Sequence, residues 1–201
     1  MRFFPISLLL LVWACSSYPE RNQFQLLETP GPSIINPYFS DPAKDYVYKA
    51  DINLYKRSFS GILVVKKLED QHHRLVFTTE MGNTIFDFSF TGNDFIVNHI
   101  LDEVNKKVII NLLKKDFKTL IWESPSPLRT FIVGDEHIFE AEIDKLRNYY
   151  HSQNGRLDKI VRTNNGKEKV TFIFSAVDAE VVKNIHILHH NIKLSIQLKA
   201  I

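Results

Sequence analysis

The sequence contains a single cysteine, Cys15, so it has no cysteine pair for a structural zinc site and no disulfide framework. Glycine is scarce, with 7 residues in 201, and the glycines are scattered. That excludes collagen-like or flexible low-complexity architecture and leaves no glycine-rich loop to cradle a phosphate. No Gly-x-Ser-x-Gly elbow occurs. Charge of one sign is not in excess: the formal net charge is +2, which gives no basis for nucleic acid as a partner. Past the first residues there is no apolar run near the 20 or so residues needed to span a bilayer, so the body is not expected to cross a membrane.

What is present begins at the start of the chain. Arg2 is followed by an apolar run, Ile6 to Trp13, and then by Ala14-Cys15-Ser16-Ser17. One positive charge, a short apolar stretch and a small-residue end have the layout of a secretory signal. An exported chain with one free thiol is unusual in an oxidising compartment. Capping the sulfur as a thioether removes the anomaly, and Leu11-Val12-Trp13-Ala14-Cys15 resembles the lipobox of bacterial lipoproteins. Residues 1–14 are therefore expected to be a removed signal peptide and Cys15 the lipidated N-terminus of the mature chain. An ordinary signal peptide, with Cys15 incidental, is the plainer alternative. Loss of residues 1–14 takes Arg2 with it and leaves 187 residues at +1. One acyl chain holds a protein to a bilayer only marginally, whereas two or three make attachment lasting.

Between residues 15 and 45 stand Pro19, Pro30, Pro32, Pro37 and Pro42, each of which removes a backbone donor and restricts its neighbour. This stretch reads as an extended tether, with Leu26, Leu27, Ile34, Ile35, Tyr38 and Phe39 apolar enough to dock on the body. From Tyr46 onward the chain reads as strands. Phe59 to Lys67 is rich in β-branched residues. Thr84 to Phe90 alternates, with Phe86, Phe88 and Phe90 on one face, and Asn191 to Lys199 alternates Ile192, Leu194, Ile196 and Leu198 with polar residues. Asn164-Asn165-Gly166-Lys167 is a hairpin turn. Between the two sets of strands the period changes. Ile109, Leu112, Leu113, Phe117, Leu120 and Ile121 fall at helical spacing, which predicts one amphipathic helix over about Asn105 to Ile121. Lys114, Lys115, Asp116 and Lys118 fall between them, and together with Lys106 and Lys107 they read as a basic, solvated face. Such a face could also meet anionic lipid headgroups. The fold class is mainly β: a curved antiparallel sheet of roughly ten strands, or an incomplete β-barrel, covered by at least one amphipathic helix.

Lipobox, tether, curved antiparallel sheet and inserted helix together resemble the outer-membrane lipoprotein carrier and receptor proteins of the Lol pathway. The resemblance covers residues 46–201. It rests on Phe59-Ser60-Gly61-Ile62-Leu63-Val64-Val65, on Glu80-Met81-Gly82-Asn83-Thr84-Ile85-Phe86-Asp87-Phe88 and on Ile192-Lys193-Leu194-Ser195-Ile196-Gln197-Leu198. It implies a half-barrel held against helices, with an apolar interior that receives acyl chains. Leu63, Val65, Phe86, Phe88, Phe172, Phe174, Leu194 and Ile196 are then the expected cavity wall. The receptor members also deliver cargo through an exposed apolar loop, for which this chain offers Met81 at most. Ser16 after the cysteine, by resemblance to proteobacterial sorting rules, favours the outer membrane, facing the periplasm.

Other chemistry is weakly represented. His72-His73 and His189-His190 are adjacent pairs, and adjacent strand residues point to opposite faces, so neither pair readily chelates one ion. No metal or cofactor and no catalytic residues are expected, although a carboxylate pair assembled in space would be invisible in the sequence. Two functional expectations follow. The anchored half-barrel binds acyl chains of a lipid or lipoprotein. Alternatively its phenylalanines fill the interior, and the chain is a non-enzymatic accessory lipoprotein with an envelope protein partner.

Overall fold

The computed structural model describes residues 16–28, 35–178 and 181–201. The first elements are a one-turn helix, α1 (Tyr18–Arg21), and a two-residue strand, β1 (Gln25–Leu26). A five-strand meander follows: β2 (Asp45–Leu54), β3 (Arg57–Glu69), β4 (His72–Thr78), β5 (Thr84–Thr91) and β6 (Asp94–Ile100). The helix α2 (Lys107–Ile121) leads into a second meander. That comprises β7 (Pro127–Val133), β8 (Glu136–Ile143), β9 (Leu146–Gln153), β10 (Arg156–Asn164), β11 (Lys167–Asp178), β12 (Val181–His189) and β13 (Leu194–Ala200).

All thirteen strands form one antiparallel sheet, in the order β1-β7-β8-β9-β10-β11-β12-β13-β2-β3-β4-β5-β6. Nearly every pairing is a hairpin between consecutive strands, as short links require. The long-range pairing that joins the two meanders is β13 to β2, with Leu194 opposite Leu54 and Ala200 opposite Tyr48. A sheet this wide curls, and β2, β5, β10 and β12 accordingly contribute to one shared apolar core. The sheet stays open, with β6 at one edge and β1 at the other. The expected β10–β11 turn is present, with Asn165 and Gly166 both at positive φ, 51° and 67°, as the twist of a two-residue hairpin loop demands.

Alternation decides which face is inside. In β2, Tyr46, Tyr48, Ala50, Ile52 and Leu54 are buried, and in β13 so are Leu194, Ile196 and Leu198. Helix α2 lies on this inner face. Leu113, Phe117, Leu120 and Ile121 are buried in the core, with Ile109 and Leu112 packed against it.

The polar side of α2 departs from the sequence expectation. Asp116 and Lys118 are buried rather than solvated. Asp116 accepts hydrogen bonds from Arg162 of β10 and His189 of β12, and Lys118 bonds Asp144 and Asn93. The physical reason is the curl: the sheet wraps the C-terminal half of the helix from both sides, so polar side chains there meet strands and their turns instead of water.

The segment before β2 is laid on the body in both described pieces. Tyr18 and Phe24 pack with Phe131, Ile138, Tyr149 and Val161 in a second, smaller apolar cluster on the outer face of β7–β10. Tyr38 and Phe39 enter the main core. The Tyr38 hydroxyl donates to the Leu157 carbonyl, and Asn36 Nδ2 donates to the Leu120 carbonyl at 2.8 Å, satisfying an end group of α2. Leu26 pairs in β1, while Ile35 is exposed. Ile34 and Cys15 lie outside the described residues.

Candidate functional site

The sheet brings the eight expected wall residues, Leu63, Val65, Phe86, Phe88, Phe172, Phe174, Leu194 and Ile196, into one core, each no more than 4% exposed. They are closely packed. Phe86 stacks on Phe88 at 4.5 Å and meets Phe117 of α2 at 5.6 Å. Phe88 meets Phe95 at 5.2 Å, and Phe174 meets Tyr38 at 5.0 Å. The Arg162 guanidinium sits 5.7 Å from the Phe172 ring centre. Of the eight, only Phe86 and Leu194 border a described cavity, an apolar void of about 20 Å3 beneath Leu112 and Leu113, scarcely room for one water.

A larger opening shares part of its wall with that void. Leu54, Phe59, Val104 and Ile109 line it and also line an open groove of about 1040 Å3. Three local segments build the groove: the β2–β3 turn with Tyr55, Lys56 and Arg57, the β12–β13 turn from His190 to Lys193, and the entry to α2 from Glu103 to Ile109. Hydrogen bonds tie them together. Tyr55 N–H donates to the Lys193 carbonyl at 2.7 Å, and Arg57 Nη1 donates to the Glu103 carbonyl at 3.3 Å. The β13–β2 pairing places the two turns side by side.

The groove is apolar below and basic above. Its floor is Leu54, Phe59, Val104, Ile109 and Ile192, and the large apolar side chains of Tyr55 and Val108 stand 65% and 70% exposed beside it. Around it are Lys56, Arg57, Lys106 and Lys193, against one carboxylate, Glu103. The α2 N-terminus also opens here: its N-cap, Lys106, makes no side-chain cap and the first turn carries no acidic residue. Its free N–H groups therefore add positive potential.

Elsewhere several histidines are engaged in the structure, while among the described residues Asn148 Oδ1, the Tyr150 hydroxyl and His186 Nε2 are buried without a hydrogen-bond partner. His73 Nε2 donates to the Phe39 carbonyl at 3.0 Å, and burial holds its pKa below the ordinary histidine value. His189 pairs with Asp116, and His190 with Thr171. Among the described residues no three metal-ligating side chains come together, and no helix is long and apolar enough to cross a membrane. Met81, in the β4–β5 link, is 92% exposed.

The sequence reading missed the groove. Its residues come from three segments spread between Leu54 and Lys193, brought together by the non-local β13–β2 pairing and the Arg57–Glu103 hydrogen bond. The one local signal was Val108, an apolar residue outside the helical stripe among lysines.

The open sheet with its inserted helix is a LolA-like fold. A LolA superfamily protein from Nitrosomonas europaea superposes with a TM-score of 0.52 at 11% identity, over 83% of this chain and 88% of that one. A domain from Vibrio parahaemolyticus, provisionally assigned to outer membrane lipoprotein sorting, aligns with a TM-score of 0.42 at 8% identity, over 78% and 83% of the two chains. No protein-family model matches the sequence, and no curated protein matches it significantly.

Proposed function

We propose that this chain is a membrane-anchored lipoprotein whose half-barrel binds an acyl chain of a lipid or lipoprotein, a carrier-type role in the cell envelope rather than catalysis. The observation that carries the reading is the groove of about 1040 Å3, whose floor residues Leu54, Phe59, Val104 and Ile109 also line the void beside Phe86 and Leu194. An acyl chain laid there leaves water for a surface of Leu54, Phe59, Val104, Ile109 and Ile192. Each 200 Å2 or so of apolar area buried contributes roughly 5 kcal/mol, enough for useful affinity from part of a chain. The LolA-like fold supports the same role.

In this reading residues 1–14 are a removed signal peptide, Cys15 carries the lipid, residues 15–45 link it to the body, and residues 46–201 form the binding domain. Location at the outer membrane, facing the periplasm, follows from the lipobox and Ser16. Because Tyr18 is already packed on the body, the free reach from a lipidated Cys15 is two residues, and the domain sits close to the bilayer.

The packed core favours a second reading. Leu63, Val65, Phe88, Phe172, Phe174 and Ile196 border no described cavity, which suits an accessory lipoprotein of an envelope complex with a filled interior. Titration of the chain from Ser16 with a fluorescent fatty acid separates the two. Saturable binding that changes the emission of a Phe59→Trp variant supports the carrier role, and no binding at millimolar lipid supports the accessory role. Metabolic labelling with a palmitate analogue tests the anchor: Cys15→Ser should abolish the label, and label persisting in that variant would remove Cys15 from the account.

A further inference from the structure

We infer that the occupant of the groove is an anionic amphiphile, with its phosphate or carboxylate among Lys56, Arg57, Lys106 and Lys193 and its chain on the apolar floor. This rests on the acyl-binding reading and adds the class of headgroup.

The argument is one of local charge. Among the described residues some surface cations are matched by acids and others, such as Lys115, Lys145 and Lys199, are not. Lys44, Lys49, Lys66, Arg74, Arg129, Arg147, Arg156 and Lys183 each lie within 4.0 Å of a carboxylate. Around the groove unmatched cations are grouped on one opening. Among the described residues none of Lys56, Arg57, Lys106 and Lys193 is in an ion pair, and Arg57 spends one N–H on a neutral carbonyl. Four cations face one carboxylate, Glu103, across a single opening. Each charge alone is an ordinary solvated side chain. Clustered over a low-dielectric floor they focus a positive field on one place, where the polar end of a bound chain must lie. A neutral headgroup leaves that field uncompensated and a cationic one is repelled, whereas a phosphate or carboxylate accepts hydrogen bonds from ammonium and guanidinium groups.

The chain from Ser16 contains every described element and is the material for the test. Calorimetric titrations compare dodecyl phosphate, dodecyl maltoside and dodecyltrimethylammonium below their micellar concentrations, with inorganic phosphate as the chain-free probe. Dodecyl phosphate is expected to bind about tenfold more tightly than the maltoside, the sum of several weak exposed charge contacts. The ratio should fall toward one in high salt and in the double variant Lys56→Glu, Lys193→Glu. Equal affinity for all three amphiphiles would overturn the headgroup assignment and leave acyl binding standing. Inorganic phosphate binding as tightly as dodecyl phosphate would also overturn it, marking a free-anion site. Failure of every amphiphile to bind would remove the acyl-binding reading itself, and this inference with it.

Discussion

Asp116, in the middle of α2, and Arg162, in β10, form an ion pair with side chains 0% and 5% exposed and Oδ1 and Nη2 2.5 Å apart. His189 of β12 completes the arrangement, its Nε2 2.8 Å from Asp116 Oδ2. The pair fixes the helix to the second meander, while Phe117 fixes it to the first through Phe86. Removing one partner strands a buried charge. Asp116→Ala should cost about 3–5 kcal/mol in urea denaturation. Replacing both partners, Asp116→Leu with Arg162→Met, should cost less, about 1–3 kcal/mol, mainly from the partner that His189 loses. A double variant as unstable as the single one would show that the helix depends on the charges themselves.

That pair marks where the sequence stops being legible. Strand β13, with one buried face, and the Phe86, Phe88 and Phe90 row of β5 were readable by alternation, as were the apolar stripe of α2 and the Asn165-Gly166 turn. Asp116 and Lys118 were not, because helical periodicity tells which residues face the core and cannot tell that a sheet will curl around the other side. Strand β9 was obscured for a related reason. Asn148, Tyr149, Tyr150 and His151 are all buried, since the N-terminal segment covers the outer face of β7–β10 and erases the alternation. The groove was hidden because its walls, far apart in sequence, meet through the β13–β2 pairing and the Arg57–Glu103 hydrogen bond.

Gly61 in β3 has no room for a side chain: a Cβ there would lie 1.9 Å from the Thr78 carbonyl oxygen in β4. The clash is with backbone, which cannot rotate away. Gly61→Ala should therefore destabilise by about 3 kcal/mol, the upper range for overpacking. Gly134→Ala is the control. It meets nothing within 4 Å but adopts φ +56°, so it should cost only the left-handed backbone penalty of about 1 kcal/mol. Comparable urea midpoints for the two variants would contradict the close β3–β4 approach.

His151 links the outer-face segment to pH. Burial lowers its pKa from the ordinary 6.5 to about 4. Its Nδ1 donates to Glu136 at 3.1 Å, which leaves Nε2 to accept from the Tyr18 hydroxyl at 3.4 Å. The folded state keeps this imidazole neutral, so the unfolded state binds more protons between those two values. Stability should then rise with pH from about 4 to 6.5 and flatten above, by on the order of 3 kcal/mol in all. His73, lowered in the same direction by burial, adds to the slope. Melts of His151→Phe across this range should show a shallower dependence, and hydrogen exchange at acid pH should rise first around Tyr18. An unchanged slope in the variant would contradict the buried neutral histidine.

Photo-crosslinking with a diazirine-bearing fatty acid, followed by peptide mass spectrometry of the chain from Ser16, addresses the acyl-binding claim most directly. Adducts should concentrate on the peptides carrying Leu54, Phe59, Val104, Ile109 and Ile192, and an excess of unlabelled fatty acid should suppress them. Adducts scattered over the surface, or none that competitor removes, would contradict the claim that the groove holds an acyl chain.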